Sequence, residues 1–199
     1  VLVDISRHFR TVDFLKRQID MIARVKLNRL HLHLTDAAGW RLQVDSYPRL
    51  TSYAAWRTPH DWKGWSNSGK KFVEEGSEGA SGGYLTKAEA RELVAYAADR
   101  YITIIPEIEM PGHSDEVLAA YPELKCSHKP ERQGDLCIGK EATFEMMQAI
   151  LDEVIEIFPS EYIHIGGDEA GKGDWKLCED CQRRMREEGL ESVDELQSY

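Results

Sequence analysis

Four apolar runs, each ending in a cluster of reactive side chains, constrain this sequence more than any other feature. They occupy residues 1–5, 27–34, 101–105 and 162–165. Most are rich in β-branched residues and bounded by breakers, as buried strands are. Helical patterns lie between them. Residues 12–26 put Leu15, Ile19, Ile22 and Val25 on one stripe. Residues 86–99 open with Thr86-Lys87-Ala88-Glu89, a capping box. Residues 143–158 put Phe144, Met147, Ile150, Leu151, Val154, Ile155 and Phe158 on one face, and Pro159 stops the helix. The charged stretch 179–188 reads as a solvated helix face. Strand and helix alternate, which predicts an α/β fold of parallel strands joined by crossover helices. Residues 58–83 break the rhythm. They are rich in Gly, Ser, Lys and Glu, hold Trp62 and Trp65, and read as one long βα loop, functional or mobile.

In a parallel sheet all four strand ends lie on the carboxyl edge, where α/β barrels and open sheets build their sites. The first run leads into Ser6-Arg7-His8, the second into Thr35-Asp36, the third into Pro106-Glu107-Ile108-Glu109-Met110-Pro111-Gly112-His113, and the fourth into Gly166-Gly167-Asp168-Glu169. Taken singly, each residue has a structural reading. Arg7 can pair with a carboxylate, Asp36 can cap a turn, and Glu107 can orient another side chain. His31, His33 and His164 can be hydrogen-bonded core histidines. Asp168 and Glu169 fit that reading least, because adjacent carboxylates at a buried strand end are costly unless used or paired. Their repulsion would raise one pKa, which suits a general acid.

Two chemistries compete on the residues alone. In one, Glu169 is a general acid and Asp168 a positioning or charge-stabilising carboxylate, as in glycosidases. In the other, His31 and His33 form a metal pair completed by His113, His164 or Asp168, as in a barrel metal hydrolase. The balance of 25 Lys+Arg against 35 Asp+Glu gives a net charge of −10. That argues against nucleic acid as main partner. No apolar run approaches the ~20 residues that cross a bilayer. The four cysteines, Cys126, Cys137, Cys178 and Cys181, leave disulfides, free thiols and a zinc site open. Only Cys178 and Cys181 have the C-x-x-C spacing, so a Cys126–Cys137 disulfide and free thiols read better than zinc. The chain starts on Val1 and stops in a helix-like segment without a C-cap, so it reads as a piece of a longer protein.

Five segments together resemble the catalytic domain of the β-N-acetylhexosaminidases of glycoside hydrolase family 20. They are Asp4-Ile5-Ser6-Arg7-His8-Phe9, Lys26-Leu27-Asn28-Arg29-Leu30-His31-Leu32-His33-Leu34-Thr35-Asp36, Gly39-Trp40-Arg41, residues 106–113, and His164-Ile165-Gly166-Gly167-Asp168-Glu169. The resemblance implies a (β/α)₈ barrel of the TIM type, with only about the first four β-α units present in residues 1–199. It implies substrate-assisted, retaining hydrolysis, with the substrate's own 2-acetamido oxygen as nucleophile. Asp168 and Glu169 would be catalytic, and Arg7, Asp36, Glu109 and His113 substrate-binding. The pattern varies at Ala37-Ala38, where a polar residue is common, and at Glu109, where aspartate is common. Further implications are no metal or organic cofactor, and N-acetylhexosamine-terminated glycans as substrates. The resemblance also implies a secreted, periplasmic or lysosomal location. It places the tryptophans that wall the sugar pocket, and a tyrosine that holds the acetamido group, in the second half of the barrel. A half barrel has two open sheet edges, so self-association is the remaining expectation.

Overall fold

The computed structural model describes residues 1–127 and 134–199. Its centre is a three-stranded parallel sheet in the order β1 (Leu2–Asp4), β2 (Arg29–His33), β7 (Thr103–Glu107). Asp4 is level with His33, and His33 with Glu107. That register puts the three strand ends, and the polar residues that follow them, at one height.

Helices α1 (Val12–Arg24), α4 (Lys87–Ala98) and α6 (Glu141–Ile157) supply the crossovers. Leu15, Ile19 and Ile22 of α1 are buried against the sheet as the stripe predicts. Val25 is not, because the helix stops at Arg24 and Lys26 turns into the left-handed region. The capping box is present in full: Thr86 Oγ1 accepts from the Glu89 amide, and Glu89 accepts from the Thr86 amide. In α6, Met147, Ile150 and Val154 are buried, but Ile155 is exposed and Phe144 only half-buried. The expected stripe is wider than the face the sheet covers.

The fourth expected strand, 162–165, is reduced to a single parallel bridge between His164 and Glu107. The His164 amide donates to Pro106 O, and the amides of Ile108 and Met110 donate to His164 O and Ile165 O. The segment therefore continues the sheet in the expected place. Among the described residues it has a neighbour on one side only, and the positive-φ pair Gly166-Gly167 turns it away at once.

The stretch after β2 is an organised excursion. It contains the ribbon β3 (Thr35–Asp36)–β4 (Gly39–Trp40), a turn of helix α2 (Arg49–Ser52), the ribbon β5 (Trp56–Arg57)–β6 (Ser81–Gly82), and helix α3 (Trp62–Asn67). Residues 58–83, expected as one loop, thus hold a helix and a strand, with Trp65 buried edge-on to Phe72. Arg41 ties the excursion to the sheet. Wholly buried, it donates to Ser6 O at 2.8 Å, Ala55 O at 2.6 Å and Gly83 O at 3.1 Å. Burial, with the charge of Arg57 adding to it, pushes its pKa down to about 9. Gly39 is required here, since a Cβ would lie 2.2 Å from Arg41 Nη2.

The last elements are α5 (Asp115–Ala120), α7 (Glu179–Glu188) and α8 (Val193–Ser198). Among the described residues no helix is long and apolar enough to cross a membrane.

Candidate active site

The first strand end supplies a cation. Asp4 Oδ1 accepts the Ser6 amide at 2.9 Å and the Arg7 amide at 3.2 Å, which folds the chain back after β1. Asp4 Oδ2 then holds Arg7 Nη1 at 3.0 Å, and Arg7 Nη2 makes a short ion pair with Asp36 Oδ2. Asp36 is buried just beyond β2, where Ser6 Oγ donates to its carbonyl at 2.8 Å. Burial raises the Asp36 pKa to about 6. The charges of Arg7, His113 and His33 oppose that rise, and Glu109 adds to it.

Beyond β7 the chain delivers Glu109, whose amide donates to Thr35 Oγ1 at 2.8 Å. Its buried carboxylate lies 3.4 Å from His33 Nε2 through Oε1, while Oε2 has no hydrogen-bond partner among the described residues. Arg7 Nη1 donates to His33 Nδ1 at 3.3 Å, which leaves the imidazole hydrogen on Nε2, facing Asp36 and Glu109. Burial lowers the His33 pKa, but the Glu109 carboxylate 3.4 Å away and the charges of Glu107, Asp4 and Asp36 outweigh it and raise the value overall.

His113, held at a positive φ, links this floor to the fourth strand end. Its Nδ1 is 3.4 Å from Asp36 Oδ1, and its Nε2 is 3.3 Å from Glu169 Oε2 and 4.0 Å from Asp168 Oδ2. The turn that carries the two acids is built on glycine. Gly166 has φ +65°, and a Cβ there would sit 1.8 Å from Glu109 Oε2. Glu169 itself is left-handed at φ +54°, a conformation uncommon for a side-chain-bearing residue.

All six expected site residues line one open cleft of about 490 Å³. One expectation is corrected. The acid pair does not sit at a buried strand end. The side chains of Asp168 and Glu169 are 68% and 79% exposed, because the glycine turn projects them past the last strand and no described segment covers them. The reading of His31 and His33 as one metal pair is also corrected. His31 Nε2 is 2.6 Å from Glu107, which His164 Nδ1 meets from the other side at 2.9 Å. His33 belongs with Asp36 and Glu109, and His113 with the acid pair. The donors are thus split among three separate groups. Asp4, His33 and Glu107 complete the site as partners of its more obvious members. Asp4 was legible in principle as the strand-end carboxylate three residues before Arg7.

This constellation has known counterparts. The sequence pattern of the glycosyl hydrolase family 20 catalytic domain matches residues 1–199. The chain belongs to glycosyl hydrolase family 20. It is 43% identical to a β-hexosaminidase of Porphyromonas gingivalis, aligned over 100% of this chain and 24% of that protein. Among solved structures, it superposes on a β-N-acetylhexosaminidase from Bacteroides fragilis with a TM-score of 0.79 and 39% identity, over 98% of this chain and 36% of that one. It superposes on an exo-β-N-acetylglucosaminidase from Vibrio harveyi, solved with N-acetylglucosamine, with a TM-score of 0.82 and 32% identity, over 98% and 31%. The chain therefore spans between about a quarter and just over a third of the length of these relatives.

Proposed function

We propose that residues 1–199 form the first half of a (β/α)₈ barrel belonging to an exo-acting β-N-acetylhexosaminidase. The enzyme would remove terminal β-linked GlcNAc or GalNAc from glycans by a substrate-assisted, retaining mechanism. The observation that carries this reading is the meeting of Arg7, Asp36, Glu109 and His113 with Asp168 and Glu169 in one cleft.

The roles are those that the resemblance to family 20 implies, set beside what each side chain touches. Glu169 protonates the leaving glycosidic oxygen and then takes a proton from water. Asp168, adjacent in sequence, orients the acetamido N–H and stabilises the cyclic cation formed when the acetamido oxygen attacks the anomeric carbon. His113 touches Glu169 on one side and Asp36 on the other, so it couples the acid to the buried floor. Arg7 is anchored by two carboxylates. Its fork of donors suits the paired hydroxyls of a terminal sugar.

The exposure of the acid pair favours a second statement: this stretch alone lacks part of the pocket, and full activity needs the rest of the barrel. The test uses the protein that contains this chain. It should hydrolyse 4-nitrophenyl N-acetyl-β-glucosaminide with retention and leave the 2-hydroxy analogue 4-nitrophenyl β-glucoside essentially untouched. Comparable rates on the two would exclude participation by the acetamido group.

A further inference from the structure

The four cysteines play no part in the cleft. They converge from three separate stretches of chain. Cys126 follows the 3₁₀ turn Pro122–Leu124, Cys137 precedes α6, and Cys178 and Cys181 bracket the start of α7. All four are buried and unbonded. Their sulfurs lie within 4.8 Å of one another. Cys137 Sγ is 3.6 Å from Cys178 and 3.7 Å from Cys181, and Cys181 is 3.9 Å from Cys126.

We propose that Cys126, Cys137, Cys178 and Cys181 hold one zinc ion in a closed structural site. Zinc binds thiolate sulfur at about 2.3 Å in a tetrahedron, whose edge is then about 3.8 Å. The three separations, 3.6, 3.7 and 3.9 Å, bracket that edge. Disulfides would instead pair the sulfurs at about 2.05 Å, and no such pairing is present in the geometry. Cys137 lies within 3.7 Å of both Cys178 and Cys181, and Cys181 within 3.9 Å of both Cys126 and Cys137.

The surroundings are built for the cluster. Gly139, two residues after Cys137, packs so tightly on the C-E-D-C turn that a Cβ would lie 2.2 Å from Cys181 N. Trp175, Ile138, Val193 and Leu196 enclose the sulfurs, and Trp175 Nε1 donates to Leu136 O at 3.0 Å. A zinc tetrathiolate is a net anion, and the start of α7, where two of the sulfurs lie, is the positive end of a helix dipole.

Such a centre would cross-link the two loops that carry the acid pair and His113. The Leu136 amide donates to Pro111 O, two residues before His113. The Gly171 amide, two residues after Glu169, donates to Asp135 Oδ2 at 2.8 Å. The zinc would act as an anchor behind the cleft, with no open position for substrate.

The test is elemental analysis of the protein containing this chain, purified without chelator and with any histidine tag removed. The expected result is one zinc per chain, released by a mercurial reagent as four thiols are blocked. Cobalt substitution should give the absorption of tetrahedral cobalt thiolate, and Cys181→Ser should lose the metal. The wild-type measurements stand even if that variant fails to fold. Trace zinc with four free thiols, two disulfides by intact mass, or stoichiometric iron would each overturn the assignment.

Discussion

Asp36 shows how much of the site's electrostatics resides in one buried carboxylate. Its folded pKa, raised by burial to about 6 from an ordinary 3.8, means that the folded chain holds this proton more tightly than the unfolded one. The stability it contributes is fully present below about 3.8 and is lost as pH rises through about 6. Asp36→Asn should therefore flatten that part of the stability–pH curve, measured by denaturant unfolding at each pH. An unchanged slope would mean that Asp36 does not titrate there. Arg7 opposes the rise, so Arg7→Met should move the Asp36 titration further upward. A carboxyl-carbon NMR titration that moved downward would contradict the ion pair. Arg7, Asp36, His113 and Glu169 were legible as residues because each follows a strand end. Their pairings were not. That Arg7 is shared between Asp4 and Asp36, or that Glu107 lies between His31 and His164, depends on register and reach that no local pattern encodes.

At the scale of elements, legibility followed length and periodicity. The capping box of α4 and the buried stripe of α1 read directly from residue order, because local geometry decides them. The ribbons between Thr35 and Gly82 did not. Two-residue strands carry no periodicity, and a buried arginine bonding backbone carbonyls arranges them. The fourth strand was placed correctly but is only a bridge, since Gly166 turns it before a ladder can form. Gly166 accordingly has two jobs, a left-handed φ and clearance for Glu109. Gly166→Ala should destabilise the fold by about 2 kcal/mol or more and lower activity by displacing the acid pair. Thr86→Ala should cost about 1 kcal/mol through loss of the cap and leave kcat unchanged. Thermal unfolding and steady-state kinetics on both variants make the comparison. Equal effects on kcat would deny the turn its special place.

At the scale of the whole molecule, the sheet has β1 at one edge and the single-bridge segment 162–165 at the other. Beside the latter lies an apolar groove of about 600 Å³ lined by Met110, Phe144, Met147, Ile165 and Tyr199. Phe144 of α6 lines this groove, and Ile155 of the same helix faces solvent. Residues 1–199 expressed alone should self-associate in size-exclusion chromatography, and the complete protein should not do so through this face. A well-behaved monomer of the isolated stretch would count against the half-barrel reading. The cysteine cluster marks the limit of reading by spacing. With only one C-x-x-C pair, the sequence ranked zinc last, yet the fold brings Cys126 and Cys137 to that pair from separate stretches. The central claim is that Glu169 is the proton donor of a glycosidase site assembled on these strand ends. Its most direct test is the steady-state hydrolysis of 4-nitrophenyl N-acetyl-β-glucosaminide by the complete protein and its Glu169→Gln variant. General acid–base catalysis is worth about 10²–10⁴-fold, so kcat should fall by that range in the variant with the fold intact, and a wild-type rate would contradict the role of Glu169 as proton donor.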